Sequence, residues 1–153
     1  MPSTQRASDL SAHLGYWLRY VSNHVSQAFA RKVEAHGVTV AEWVLMRHLL
    51  DEKALAPSRL ADRMGMTRGA ISKLAERLIA KSMLMRVADP DDGRAHTLSL
   101  TTAGRALVPV LATLADANDA EFFDHLVPKD RAALFRILRE IVERRGLKSL
   151  PVD

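Results

Sequence analysis

Pro57-Ser58-Arg59-Leu60-Ala61-Asp62-Arg63-Met64-Gly65-Met66-Thr67-Arg68-Gly69-Ala70-Ile71-Ser72-Lys73-Leu74-Ala75-Glu76-Arg77-Leu78 is the stretch that decides how this 153-residue chain is read. Pro57 suits the first turn of a helix, where its missing N–H is not needed. That helix is expected to run to Met64. Gly65 tolerates the positive φ of a tight turn. Thr67 is a good N-cap for a second helix, from Arg68 to Lys81. Two short helices crossing steeply need a small residue where their backbones approach, and Ala61 supplies it. Ile71, Leu74 and Leu78 fall at i, i+3 and i+7 and share one face; Leu60 and Met64 face them from the first helix. This is the spacing of a DNA-binding helix–turn–helix. An ordinary amphipathic helix pair has much the same pattern, so the outer face must discriminate.

The outer face of the second helix carries Arg68, Gly69, Ser72, Lys73, Glu76 and Arg77. Arg68 and Lys73 can reach guanine O6 and N7 in a major groove. Gly69 and Ser72 permit close approach to bases or backbone. Arg77, further along, is better placed for phosphate. Glu76 is discordant: it repels phosphate unless it accepts from cytosine N4 or pairs with an adjacent base. A helical module that binds protein instead of DNA would present an apolar face here.

Downstream of Ser82 the period changes to that of strands. Leu84 to Val87 and His96 to Leu100 read as a hairpin. Asp89-Pro90-Asp91-Asp92-Gly93 between them is dense in turn formers, with Asp-Gly at the tip. Arg94 follows that glycine. An arginine on a thin ribbon can enter a narrow minor groove, where the potential is most negative. Asp92 can hold the guanidinium through a two-pronged hydrogen bond. The bland alternative is a turn with a surface charge, and three acids at the tip require Arg94 to project past them.

At this point the chain resembles the MarR family of winged helix–turn–helix transcription regulators, over essentially its whole length. The resemblance rests on Leu60-Ala61-Asp62-Arg63-Met64-Gly65, on the helix after it, and on Leu84-Met85-Arg86. It continues through Asp92-Gly93-Arg94 to Leu100-Thr101-Thr102-Ala103-Gly104. It implies a mainly α fold with a small β-hairpin wing: a winged helix–turn–helix over residues 37–101, with a helical dimerisation region at 1–36 and 102–153. It implies a homodimer on an inverted repeat of double-stranded DNA, most often as a repressor. It also implies that Arg94 is the minor-groove contact, Asp92 its orienter, and Arg86 a structural or phosphate-binding residue of the wing.

The flanking segments fit long helices. From Asp9 to His36, Leu10, Leu14, Trp17, Leu18, Val21, Val25, Ala28 and Phe29 recur at helical spacing. Ser8 or Asp9 can cap the start and Gly37 can end it; roughly 27 residues would span about 40 Å. Thr39 with Glu42 reads as a capping box for a helix whose buried stripe is Trp43, Val44, Met46, Leu49 and Leu50. Thr101 or Thr102 caps a helix to about Asp124, with Leu107, Val110, Leu111, Leu114 and Ala117 as its stripe and Pro109 near its second turn. Pro128 opens a last helix with Leu134, Ile137, Leu138, Ile141 and Val142 on one side and Gly146 just beyond its end. The first and last of these stripes have few elements to cover them, so a partner subunit is expected.

Charge and composition narrow the function classes. Between Lys53 and Arg105 stand ten basic residues and five acids, whereas the rest of the chain has twelve and thirteen. All of the net +4 therefore sits in the centre, as a polyanion-binding patch requires; an ordinary solvated surface can carry the same charge. Absence of cysteine excludes disulfides, thiolate metal sites and thiol-based peroxide sensing. Aromatic content of 5% is low for an all-β protein. No run of apolar residues is long enough for a transmembrane helix, and Met1-Pro2-Ser3-Thr4-Gln5-Arg6 lacks the apolar core of a signal peptide, so a cytoplasmic location without membrane contact is expected. There is no Gly-rich phosphate loop, Ser-His-Asp grouping or metal-binding pair, so no enzymatic activity and no cofactor are expected.

The resemblance further implies release from DNA by a small, often aromatic and anionic ligand, bound between the dimerisation helices and the DNA-binding lobe. Tyr16, Trp17, Tyr20, His24, Trp43 and Arg47, with Met46, are the candidates: rings beside a guanidinium suit an aromatic carboxylate. Trp17 and Trp43 also lie on apolar stripes, which reads as core. A metal-responsive variant is the alternative, with six histidines available. His13 and His24 would share a helical face, but too far apart to chelate one ion.

Overall fold

A computed structural model describes residues 6–89 and 91–148. Three parts of the expectations lie outside those residues: the N-terminal residues 1–5, Pro90 of the turn, and the end of the second dimerisation segment at 149–153.

Local capping chemistry sets most boundaries. A short 3-10 turn, Leu10–Ala12, precedes α1, Leu14–Glu34. Gly37 follows α1 at φ +80, its N–H donating to Glu34 O at 2.9 Å, so the chain turns there. Helix α2, Val40–Leu50, opens on the full capping box: Thr39 Oγ1 accepts from Glu42 N at 3.2 Å and Glu42 Oε1 from Thr39 N at 3.1 Å. Helix α3, Pro57–Met64, begins on proline and ends on Gly65 at φ +63. Helix α4, Arg68–Ala80, starts at Thr67, whose hydroxyl accepts from Ala70 N at 3.1 Å. Strands β1, Leu84–Ala88, and β2, His96–Leu100, pair antiparallel with Leu84 opposite Leu100 and Arg86 opposite Leu98. Helix α5, Thr102–Phe123, is capped by Thr101 and runs through Pro109. Helix α6, Pro128–Arg145, ends on Gly146 at φ +56.

The fold is mainly helical with a small antiparallel wing, as expected. Its core gathers Leu45, Met46 and Leu49 of α2, Leu60 and Met64 of α3, Ile71, Leu74 and Leu78 of α4, and Leu84, Leu98 and Leu100 of the wing. Val33 of α1 and Val108 and Leu111 of α5 belong to the same cluster, so the winged unit and its flanking helices share one core. Leu55 adds a single-residue bridge to β2, with backbone hydrogen bonds of 3.0 and 2.8 Å to Leu98. That third rung anchors the wing to the segment between α2 and α3.

Several expectations need correction. The first long helix starts at Leu14, not Asp9. His13 is extended, with φ −99 and ψ 126, so it does not share a helical face with His24, and Asp9 makes no side-chain cap. The break is held by the indole of Trp17, which donates to Ser11 O at 2.9 Å. Trp17 itself is half exposed rather than core, and Leu14 is 82% exposed. In α2 the buried centre is Leu45, while Trp43, Val44 and Leu50 are only partly buried. In α5 it is Val108 rather than Val110, and Ala117 is exposed beside a buried Asn118. Both helices carry apolar residues on adjacent faces, and tertiary packing selects between them. No residue of α6 is buried; Leu134, Phe135, Ile137, Leu138, Ile141 and Val142 all face outward within this chain.

Candidate nucleic-acid interface

The face of α4 opposite the core is built by helical periodicity. Ile71, Leu74, Ala75 and Leu78 point inward and are buried, which leaves Arg68, Gly69, Ser72, Lys73, Glu76 and Arg77 exposed on the other side. Apart from the backbone of its own helix, the described atom nearest to where a Cβ of Gly69 would stand is Thr67 Oγ1, at 4.0 Å. A partner surface can therefore come close to the backbone there. Among the described residues, no carboxylate lies within ion-pair distance of Arg68, Lys73 or Arg77. Their charges are left for something outside the chain.

The basic excess counted along the sequence is redistributed in space. Lys81 is paired with Glu42 at 2.8 Å, and Arg63 with Glu52 at 3.3 Å. Both acids stand outside the central window of the charge count. Arg105 donates to Leu50 O and Glu52 O, each at 3.1 Å, and so caps the C-terminal end of α2. Sequence reasoning counted these three cations toward the patch, although each is committed internally. Lys53, Arg59, Arg68, Lys73, Arg77, Arg86 and Arg94 remain.

The wing presents Arg86 and Arg94 as exposed side chains. Its seven-residue connection, 89–95, is shaped by its own acids. Asp89 Oδ1 accepts from Asp91 N at 2.9 Å, and Asp92 Oδ1 from Arg94 N at 3.0 Å. Asp92 therefore holds the backbone of Arg94; the expected two-pronged bond to its guanidinium is not formed among the described residues. The correction follows from the short Asx side chain, which closes a ring onto an N–H two residues on at little entropic cost. Two of the three carboxylates thereby fold back onto the loop.

The wing and α4 are fixed to each other at one junction. Ser82 has φ +61, and its carbonyl accepts from Thr101 Oγ1 at 2.7 Å. Thr101 N donates to Met83 O at 3.1 Å. At Gly104 a Cβ would collide with the backbone carbonyl of Met83, so only glycine lets α5 start this close. The L-T-x-x-G run thus has a mechanical role.

The candidate effector residues do not all meet. Tyr16, Trp17, Tyr20 and His24 form a ladder along α1, with ring centroids 5.2–6.4 Å apart. Trp43 packs edge-to-face on Phe29 instead, at 6.4 Å. Arg47 pairs with Asp51 at 3.0 Å, and Met46 is fully buried. A cavity of about 760 Å³ lies elsewhere, at the corner of α5 and α6, lined by Asp116, Phe123, Arg131 and Phe135 among others. His48, which sequence reasoning passed over, has its pKa lowered from the ordinary 6.5 by burial and then by the charges of Arg63 and Arg47. Among the described residues no group of three His, Asp or Glu side chains is gathered as for a metal ion, and no helix is long and apolar enough to cross a membrane.

Comparison with known proteins agrees with this geometry. Residues 36–95 match the model of the MarR family. The chain is 27% identical, over 86% of its length and 80% of the relative's, to a putative transcriptional regulatory protein for the hcr operon of Thauera aromatica. Its backbone superimposes with a TM-score of 0.77 on Bordetella bronchiseptica BpsR, whose DNA binding is regulated by 6-hydroxynicotinic acid; identity is 26%, and coverage is 89% of this chain and 97% of that one. It shares the fold of Staphylococcus aureus MepR in complex with DNA, with a TM-score of 0.78 at 21% identity over 86% and 98% of the two chains.

Proposed function

We propose that this chain is a DNA-binding transcriptional regulator of the MarR family, whose model matches residues 36–95, and that it acts as a homodimer that represses transcription from an inverted-repeat operator. Residues 1–36 and 102–153 form the dimerisation region and 37–101 the winged DNA-binding unit. Arg68, Gly69, Ser72 and Lys73 meet base edges and backbone in the major groove, and Arg77 a phosphate. Arg94 enters the adjacent minor groove from the wing, Asp92 shapes its backbone, and Arg86 adds a phosphate contact or steadies the wing. The observation that carries this reading is the exposed cationic face of α4, whose Arg68, Lys73 and Arg77 meet no carboxylate among the described residues, together with an exposed wing arginine.

The outward apolar side of α6 and the exposed Leu14, Trp17, Leu18 and Val21 of α1 support the dimer, since a lone chain leaves them in water. Two-fold symmetry then places the recognition helices on half-sites about 34 Å apart. The protein works in the cytoplasm, where its operator is.

A small aromatic acid is the effector class that fits best. The ring ladder of Tyr16, Trp17, Tyr20 and His24 lies on a helix of the dimerisation region, and Trp43 and Arg47 lie on α2, within the winged unit. A ligand that binds one spacing of the two lobes better than another shifts the DNA-binding equilibrium by that difference. The test is footprinting on the intergenic DNA beside the chain's own gene, repeated with substrates of the neighbouring gene products. A protected inverted repeat released by one such compound supports the reading. Absence of any protected site in that DNA overturns operator binding there.

A further inference from the structure

Glu42 does more than cap a helix. It is fully buried, and a capping box needs only one of its oxygens. Oε1 accepts from Thr39 N and also from Lys81 Nζ at 2.8 Å, and Oε2 accepts from the same ammonium at 2.8 Å. Lys81 is the C-cap of α4. The carboxylate at the start of α2 therefore holds the far end of the recognition helix.

We propose that Glu42 and Lys81 are positioning residues for DNA recognition: their ion pair fixes the end of α4 and so sets the angle at which its exposed face meets the groove. The proposal rests on the DNA-binding reading of α4.

The argument is mechanical. At its C-terminal end α4 is held from two sides, by Glu42 through Lys81 and by Thr101 through the carbonyls of Ser82 and Met83. At its other end the capping bond is a local one, within Thr67 to Ala70. Between them Ile71, Leu74 and Leu78 seat the helix on the core through apolar contacts, and the clamp at Lys81 adds a directional polar tie to that seat. The helix is about 20 Å long, so once the tie at Lys81 is released a tilt of about five degrees about its packed middle displaces each end, Arg68 included, by roughly 0.9 Å. Hydrogen bonds to base edges tolerate only a few tenths of an ångström. Contacts to phosphates by long flexible side chains tolerate more. Loosening the pair should therefore reduce discrimination between sequences before it reduces attraction to DNA in general.

A direct phosphate contact by Lys81 is the competing role, and salt dependence separates the two. The wild-type chain first selects a duplex from a random-sequence library. Wild type, Glu42→Gln, Lys81→Met and the double variant Glu42→Gln/Lys81→Met are then titrated with that duplex and with a scrambled one, over a range of salt. Circular dichroism sets a temperature at which each is folded. The double variant guards against misfolding, because a neutral pair replaces a broken one. The positioning role predicts that all three variants lose about tenfold or more for the selected duplex, with scrambled-duplex affinity and the salt slope unchanged. Equal weakening on both duplexes with a slope shallower by about 0.9 per phosphate lost makes Lys81 a phosphate contact and overturns the proposal. A lower melting temperature with wild-type discrimination in any variant leaves only a structural role and also overturns it. Failure of the wild type to select any duplex overturns the DNA-binding reading itself.

Discussion

Lys81 Nζ donates to both carboxylate oxygens of Glu42 across 39 residues of sequence, and the two ends of this pair are unequally buried: the Glu42 side chain is 0% exposed and that of Lys81 38%. The inequality predicts unequal costs. Lys81→Met strands a buried carboxylate and should cost about 3–5 kcal/mol. Glu42→Gln keeps the bond to Thr39 N and leaves an ammonium that water can reach, for about 1–2 kcal/mol. Urea unfolding of both variants measures the difference. The reverse order would show that the carboxylate is not the costlier partner to leave unpaired.

Two substitutions at the junction of α4, β1 and α5 should act in opposite directions. Ser82 is exposed in the left-handed region, so Ser82→Gly should stabilise by up to about 1 kcal/mol. Gly104→Ala puts a methyl against the Met83 carbonyl and should destabilise by more than that, since backbone must move. Thermal melts of the two variants would show shifts of opposite sign.

His48 gives the protein an acid-sensitive term. Burial and the nearby Arg63 and Arg47 disfavour its charged form in the fold, so the unfolded chain takes up its proton first as pH falls. The contribution is fully present above the unfolded value of 6.5 and is lost as pH falls below it toward the lower folded pKa. Stability measured from pH 7.5 to 5 should decline in that window, and His48→Asn should flatten this part of the decline. An identical profile in the variant would place the acid sensitivity elsewhere.

Arg94 is exposed, and among the described residues its backbone N–H is engaged by Asp92 while its guanidinium forms no ion pair. Arg94→Ala should leave the melting temperature within the noise while weakening operator binding by about 1–3 kcal/mol. Asp92→Asn, which keeps the accepting oxygen, should bind more nearly as wild type than Asp92→Ala. Undiminished DNA affinity for Arg94→Ala in gel-shift titration would remove the wing from the interface.

What the sequence made legible follows the range of each interaction. Thr39 with Glu42, Pro57, Gly65, Thr67, Thr101 and Gly146 all act within about four residues, so they mark helix ends in any context. The inward–outward pattern of α4 was equally readable, because one face is apolar and the other polar. Interactions across long separations were not readable. The Lys81–Glu42 pair, the Arg105 cap 53–55 residues from its carbonyls and the Leu55–Leu98 bridge leave no periodic trace. The rotation of α2 and α5 was misjudged for a related reason: Trp43 and Leu45, or Val108 and Val110, are equally apolar, and only neighbouring elements decide which turns inward. Among the effector candidates, residue chemistry suggested a set whose α1 and α2 members the fold engages with different neighbours.

The cationic face of α4, which meets no carboxylate among the described residues, is proposed to grip duplex DNA together with the wing arginine. The most direct test is the affinity of the wild-type chain for its selected duplex as a function of salt. A dimer that neutralises several phosphates should give a linear fall of log K with log salt, with a slope of about −0.9 for each phosphate. Arg77→Ala should make that slope shallower. Binding that is independent of salt, or a slope unaltered in Arg77→Ala, would contradict DNA binding by this face.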